Sequence, residues 1–316
     1  MKRPSANSKS NVGAALMLSL WALFLLSAMI IAWALDIDSR LAFSGHANHV
    51  LEAEAMASSG ADVALAVFKP DSPNLHGKMG DREGYDVQMT GECGRLNLNL
   101  LAPGGVENQA LVEILRRYLN LKGVELNDLD TMIDSLLDWV SPTKGLHHLN
   151  APPESDDYHP SHAALTSVDE LKKIYGWGEF TSKPGWDEDF TVIIGNCQQI
   201  DLAWASRDVL RALGIGDDLV DRFLQLRRGP DGIDGTADDF QFTKSATTGS
   251  VPPEIQTALG LKPEQFQQIQ NLVTFNSPVF RIVSVGKSGD VTRSVQMIAS
   301  QGGLGGRPAV MSWKEL

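Results

Sequence analysis

Residues 12–35 read VGAALMLSLWALFLLSAMIIAWAL, without one charged side chain. As a helix such a run is long enough to cross a hydrocarbon core of about 30 Å. The polar residues before it carry Lys2, Arg3 and Lys9 and no acid. That flank is expected to stay on the cytoplasmic side, with everything after Asp36 beyond the membrane. No proline occurs between Ala14 and Phe68, and residues 38–68 (DSRLAFSGHANHVLEAEAMASSGADVALAVF) are rich in Ala and Leu. Leu41, Val50, Leu51, Ala55, Ala61 and Leu65 predict one apolar stripe, so the membrane helix is expected to run on outward as an amphipathic rod.

Three readings of this N-terminus compete. Ala32-Trp33-Ala34 has the small-x-small pattern of a secretory cut, but the apolar run exceeds the about 7–15 residues of a signal core. An ordinary single-pass anchor requires only the run itself. A class III prepilin signal is cut before the run, after a glycine, and keeps the helix. Gly13 stands at that point, with Ala14 as the new first residue. The uninterrupted helical pattern beyond the membrane favours this third reading, because a secretory cut would discard the inner half of the rod.

Downstream, residues 69–82 (KPDSPNLHGKMGDR) read as loop, and residues 84–99 (GYDVQMTGECGRLNLN) as strand. Helices are predicted over 107–120 and 128–140, where Leu129, Ile133, Leu136 and Leu137 share a face and Pro142 and Gly145 end it. Ser167, with Glu170 three positions on, reads as a helix cap. Residues 279–285 and 291–299 alternate around Ser288-Gly289-Asp290, and 308–313 supply a last short strand. The expected fold is α+β. A leader (1–13), a transmembrane helix (14–35) and its amphipathic continuation (36–68) precede a small antiparallel sheet drawn from 69–99 and 276–316. Between those halves lies a large inserted domain, 100–275, mainly α-helical with a short strand near 190–202.

A weak repeat touches both cysteines. Gly91-Glu92-Cys93 leads to Leu96-Asn97-Leu98, and Gly195-Asn196-Cys197 leads to Ile200-Asp201-Leu202. Two equivalent strands side by side would bring Cys93 and Cys197 together. In an oxidising compartment they form one bridge; otherwise they are two buried thiols.

The chain has 316 residues and a net charge of -12. That balance disfavours a general nucleic-acid binder, which needs clustered Lys and Arg. No GxSxG is present, Gly286-Lys287-Ser288 lacks the upstream glycine of a phosphate loop, and Gly302 to Gly306 lacks dinucleotide spacing; no enzyme is indicated. His159 and His162 are separated by Pro160 and, like His46/His49 and His147/His148, read as loop or surface histidines rather than a zinc site. The sharpest motif is residues 229–239, GPDGIDGTADD. Asp231, Asp234, Asp238 and Asp239 there offer oxygens to a hard cation such as calcium, although the spacing is not that of an EF-hand; the alternative is a solvated turn. Residues 200–216 resemble a helix-hairpin-helix unit, whose Gly-x-Gly offers N–H groups to phosphate. Asp217 and Asp218 follow at once and oppose that use, with Arg222, Arg227 and Arg228 as partial offset.

The basic leader, Gly13 and the long N-terminal helix resemble pilin-like subunits. Residues 96–99 (LNLN), 133–139 (IDSLLDW), 165–176 (LTSVDELKKIYG), 279–282 (VFRI) and the ending Trp313-Lys314-Glu315 resemble, in that order, the minor pseudopilins of the general secretion pathway protein K family of type II secretion systems. The resemblance implies a pilin-like core with a large helical insertion, and a periplasmic head on a single-pass anchor in the bacterial inner membrane. It implies cleavage by prepilin peptidase between Gly13 and Ala14, with methylation, and a structural calcium ion in the inserted domain. Most pilin-like chains carry a glutamate at the fifth mature position. Here it is Leu18, and its absence is typical of the K-type member and implies a place at the filament tip. The implied partners are the other minor pseudopilins, the major pseudopilin, exported proteins and the outer-membrane channel, with no nucleic acid. Helix-hairpin-helix-like modules occur in that family without a DNA role. A signal-anchored envelope protein with a DNA- or protein-binding head, or a type IV pilus minor pilin, are the alternatives.

Overall fold

The computed structural model describes residues 11–143, 147–240, 242, 251–275, 278–302 and 307–316. Helix α1 spans Asn11–Val67 without a break. It ends where Phe68 takes a left-handed backbone (φ 45°) just before Lys69-Pro70. The Phe68 ring meets Phe280 edge to face at 5.4 Å, which holds that turn in place.

Residues 69–82 are more ordered than the loop expected from their Pro and Gly content. Ser72 caps a 3-10 turn, Pro73–Leu75, and β1 (His76–Lys78) pairs antiparallel with β2 (Glu83–Gly91). A strand as short as β1 is too brief to show alternation. After β2 the chain leaves the sheet, passing through β3 (Leu96–Asn97), α2 (Gln109–Leu121), α3 (Leu126–Val140), α4 (Gly178–Thr181), β4 (Phe190–Thr191), β5 (Ile200–Asp201), α5 (Arg207–Ala212), α6 (Asp217–Arg227), α7 (Pro253–Ala258), α8 (Pro263–Ile269) and β6 (Val273–Thr274). It returns as β7 (Val279–Ser288), β8 (Val291–Ser300) and β9 (Ala309–Glu315). Among the described residues the main sheet is five-stranded and antiparallel, in the order β1-β2-β7-β8-β9. Gly91 at the end of β2 lies opposite Phe280 at the start of β7. The helical block is thus an insertion between two neighbouring strands.

The outer end of α1 lies on this sheet through small residues. Ala53, Ala57, Ala61 and Ala64 are fully buried, the last three packed over Val87, Met89, Ile282, Val295 and Met297. Of the expected stripe, Ala61 is fully buried in this face and Leu65 packs partly buried against it, whereas Leu41 is 67% and Leu51 64% exposed. Helix and sheet approach closely between Ala53 and Gly60. A Cβ added to Gly286 of β7 would run into the Ala53 carbonyl and the Ala57 amide, and one added to Gly60 would strike Ser284 and stand 2.9 Å from Tyr85. Only Ala and Gly fit where the backbones come that close, and Leu65 and Phe68 pack at the margin of the contact.

The insertion has its own core. Tyr118, Leu119, Leu129, Leu136, Trp177, Phe190, Leu202, Val209 and Phe223 are buried together, each worth about 1.5–3 kcal/mol when a large side chain is fully removed from water. Asn108 caps α2 through the Leu111 amide. Ser167 and Glu170 form the expected capping box, but on a 3-10 helix, Val168–Lys173. Residues 96–99, which the sequence assigns to the sheet, instead belong to the insertion: β3 pairs in parallel with β4, and β5 with β6.

Candidate functional site

Two features stand out: the exposed apolar length of α1, and the seam where the insertion meets the sheet. Residues 13–35 of α1 are exposed on all sides. Among the described residues α1 is the one helix long and apolar enough to cross a membrane. A helix that is apolar all round requires lipid or other helices around it. Gly13 and Ala14 lie in its first turns, with open space around Gly13, and Leu18 is exposed one turn further. The leader positions 1–10 lie outside the described residues.

The seam is built from charges that the sequence does not pair. Glu92, 0% exposed, accepts from Arg281 Nε (2.7 Å) and Nη2 (2.9 Å) and from Arg95 Nη1 (3.2 Å). Arg281 also reaches the Phe190 carbonyl, and Arg95 the Glu188 carbonyl. Burial, with the nearby Arg281 charge, lowers the Arg95 guanidinium to about 10 against the pull of Glu92. On the far side, Lys314 of β9 donates to Asp169 at 2.7 Å. Asp169 is held below the usual carboxylate range by hydrogen bonds from Lys172 and Lys314.

Cys93 and Cys197 form a disulfide, with Cα atoms 4.9 Å apart. The strands of the weak repeat do not bring them together, since β3 and β5 have different partners. Cys93 sits in the 3-10 turn Glu92–Gly94. The Asn97 amide holds the opposite loop by donating to the carbonyls of Ile193 (2.7 Å) and Cys197 (3.0 Å).

The four aspartates of the 229–239 loop do not face one point. Asp231 Oδ1 accepts from the Ile233 amide, Asp238 from the Asp231 amide and the Thr236 hydroxyl, and Asp239 from the Gly235 amide. Asp234 instead pairs with Arg227 and Arg228. The Thr236 hydroxyl keeps Asp238 below the usual carboxylate range, while burial pushes Asp239 above it. Among the described residues no group of three or more His, Cys, Asp or Glu side chains is arranged to hold a metal ion. Several histidines are taken up singly or beside carboxylates. His148 lies between Asp138 and Glu107, His162 meets Glu154 at 2.8 Å, and His49 meets Ser288 at 2.8 Å.

Helices α5 and α6 form the hairpin that the sequence indicates, with Gly214 in the left-handed region (φ 89°). Arg207 is tied to Asp221 and Arg211 to Asp217. These pairs neutralise Arg207 and Arg211, whereas Arg117, beside Gly214, donates to the Ala212 carbonyl and Arg222 to the Asp218 carbonyl.

An N-terminal rod seated on a small antiparallel sheet, with a helical block inserted between two of its strands, defines a pilin-like α+β protein. A chain in the crystal structure of the GspK-GspI-GspJ complex, from the type 2 secretion system of enterotoxigenic Escherichia coli, shares this fold. The likeness covers 87% of the present chain and 99% of that one, with a TM-score of 0.60 at 14% identity. No family model and no curated sequence matches the chain.

Proposed function

We propose that this chain is a minor pseudopilin of a type II secretion system. Its apolar helix is held in the bacterial inner membrane and its head lies in the periplasm. Prepilin peptidase cuts between Gly13 and Ala14, and the freed rod packs beside equivalent rods of the major pseudopilin and the other minor pseudopilins. The bulky insertion tops the assembly, where it initiates or caps the pseudopilus and faces exported proteins and the outer-membrane channel. The observation that carries this reading is the combination of a 57-residue continuous helix with a sheet interrupted by a large helical insertion, supported by a fold likeness that covers 87% of this chain and 99% of a chain from the GspK-GspI-GspJ complex. Leu18 adds support: the absence of an acid at the fifth mature position accords with a subunit that has none above it.

The test is mass spectrometry of the mature N-terminus, together with co-purification from membranes. The expected N-terminus is Ala14, lost in Gly13→Ala, with fellow pseudopilins recovered alongside. A mature chain beginning at Leu35 would sink the proposal and leave a signal-directed envelope protein.

A further inference from the structure

Of the four loop aspartates, Asp234 is the one that pairs with arginines, and its fullest partner is Arg227. The Arg227 side chain is 4% exposed. Its Nε and Nη2 donate to the two Asp234 oxygens at 2.9 and 3.0 Å, a bidentate pair. Its Nη1 donates to the carbonyls of Ala205 (2.8 Å) and Leu202 (3.4 Å), and its guanidinium lies 5.8 Å from the Phe223 ring centre. Arg228 Nε adds a further bond to Asp234 at 3.0 Å. The Phe240 amide donates to the Arg227 carbonyl, closing the loop onto the end of α6.

A calcium ion requires about six to eight oxygens facing one centre. Here the carboxylates face amides, a hydroxyl and a guanidinium, so the residues as arranged do not fit that ion. The same loop is also pressed onto the sheet. The Asp234 carbonyl accepts from Gln88 Nε2 at 3.2 Å, and Gly235, left-handed at φ 90°, comes so near that an added Cβ would stand 2.5 Å from the Met89 carbonyl.

We propose that Arg227 is the built-in cation of this loop, filling by a covalently attached guanidinium the charge-balancing place of a metal, and that it thereby latches the helical insertion to β2 independently of calcium. The positive charge is supplied by α6, the negative charge by the loop, and the carbonyls by the turn after β5. One side chain therefore joins three segments of the insertion and, through Asp234 and Gly235, the sheet. None of this depends on a role in secretion, so its test fails or succeeds separately.

The experiment uses the full chain in detergent. Thermal unfolding is followed with EDTA, with millimolar calcium chloride and with neither, and calcium uptake is measured by titration calorimetry. The expected result is one melting temperature under all three conditions and no saturable heat of binding. Arg227→Met is expected to lower the melting temperature by about 5 °C, since it removes the bidentate partner of Asp234 and the donor to the Ala205 and Leu202 carbonyls, while Asp238→Asn changes it little. Should Arg227→Met fail to accumulate folded, the calcium measurements on the unaltered chain and on Asp238→Asn decide. Saturable calcium binding that is lost in Asp238→Asn, or a melting temperature lowered by EDTA, would overturn the proposal.

Discussion

His148 is enclosed by its charges. Its ring contacts Asp138 on one side and Glu107 (2.9 Å) on the other, and His147 approaches the same Asp138 at 3.3 Å. Burial alone would lower the His148 pKa, but the hydrogen bonds and charges of Asp138 and Glu107 outweigh it and raise the value. A folded-state pKa above the unfolded one means that protonation favours the folded chain. The contribution is complete below the ordinary histidine value of about 6.5 and is lost as pH rises through the raised folded value. Denaturant midpoints measured across that window should therefore fall with rising pH, and His148→Asn should flatten the slope; a slope of opposite sign would refute the assignment. Little of this was legible beforehand. The histidine pair was visible, as were the aspartates of the 229–239 loop, because composition is local. Their partners were not, since Glu107 is 41 positions from His148 and Arg281 is 189 from Glu92. Arg227 stood in plain view beside the acidic loop, but only the folded geometry shows that it is buried rather than solvated.

At the level of elements, the seating of α1 on β7 rests on the small residues described above. Gly286→Val should be costly, because the new side chain meets helix backbone on rigid elements and not the yielding tip of a side chain. Overpacking of this kind costs about 1–3 kcal/mol. Limited proteolysis should cut after α1 more readily, and the denaturant midpoint should drop. Unchanged protection would mean that the helix and sheet can separate without loss. Helices α2 and α3, the final hairpin and the capping box were readable from periodicity and turn chemistry, whereas the short α4, α7 and α8 were not. The contact face of α1 agrees with the sequence at Ala61 and Leu65 and differs at Leu41 and Leu51, for a physical reason. Large apolar residues are taken to mark the buried stripe, yet where a helix approaches a sheet this closely the buried stripe must be the smallest residues, here Ala53, Ala57, Gly60, Ala61 and Ala64.

Across the whole molecule, the Cys93–Cys197 bridge joins positions 104 apart and ties the first turn of the insertion to a loop far along it. On the chain-entropy account a closed loop of this size is worth about 4–5 kcal/mol. The double change Cys93→Ser and Cys197→Ser is expected to lose about that much in denaturant unfolding, with the loss reproduced by reductant in the unaltered chain. Equal stability with and without reductant would show that the bridge constrains nothing. The order of rod, first strands, helical block and last strands was legible because each change of period is marked by Pro, Gly or a charge. The exact margins of the block were not, because the strand-like 96–99 pairs inside it. Those margins have a further meaning. Since Gly91 and Phe280 face each other across one ladder, lifting the helical block out would leave two strands needing only a tight turn. A hairpin extended from its tip can gain, enlarge or shed such a globule without rethreading anything beneath it. The head is therefore free to diversify in evolution while the scaffold under it stays fixed.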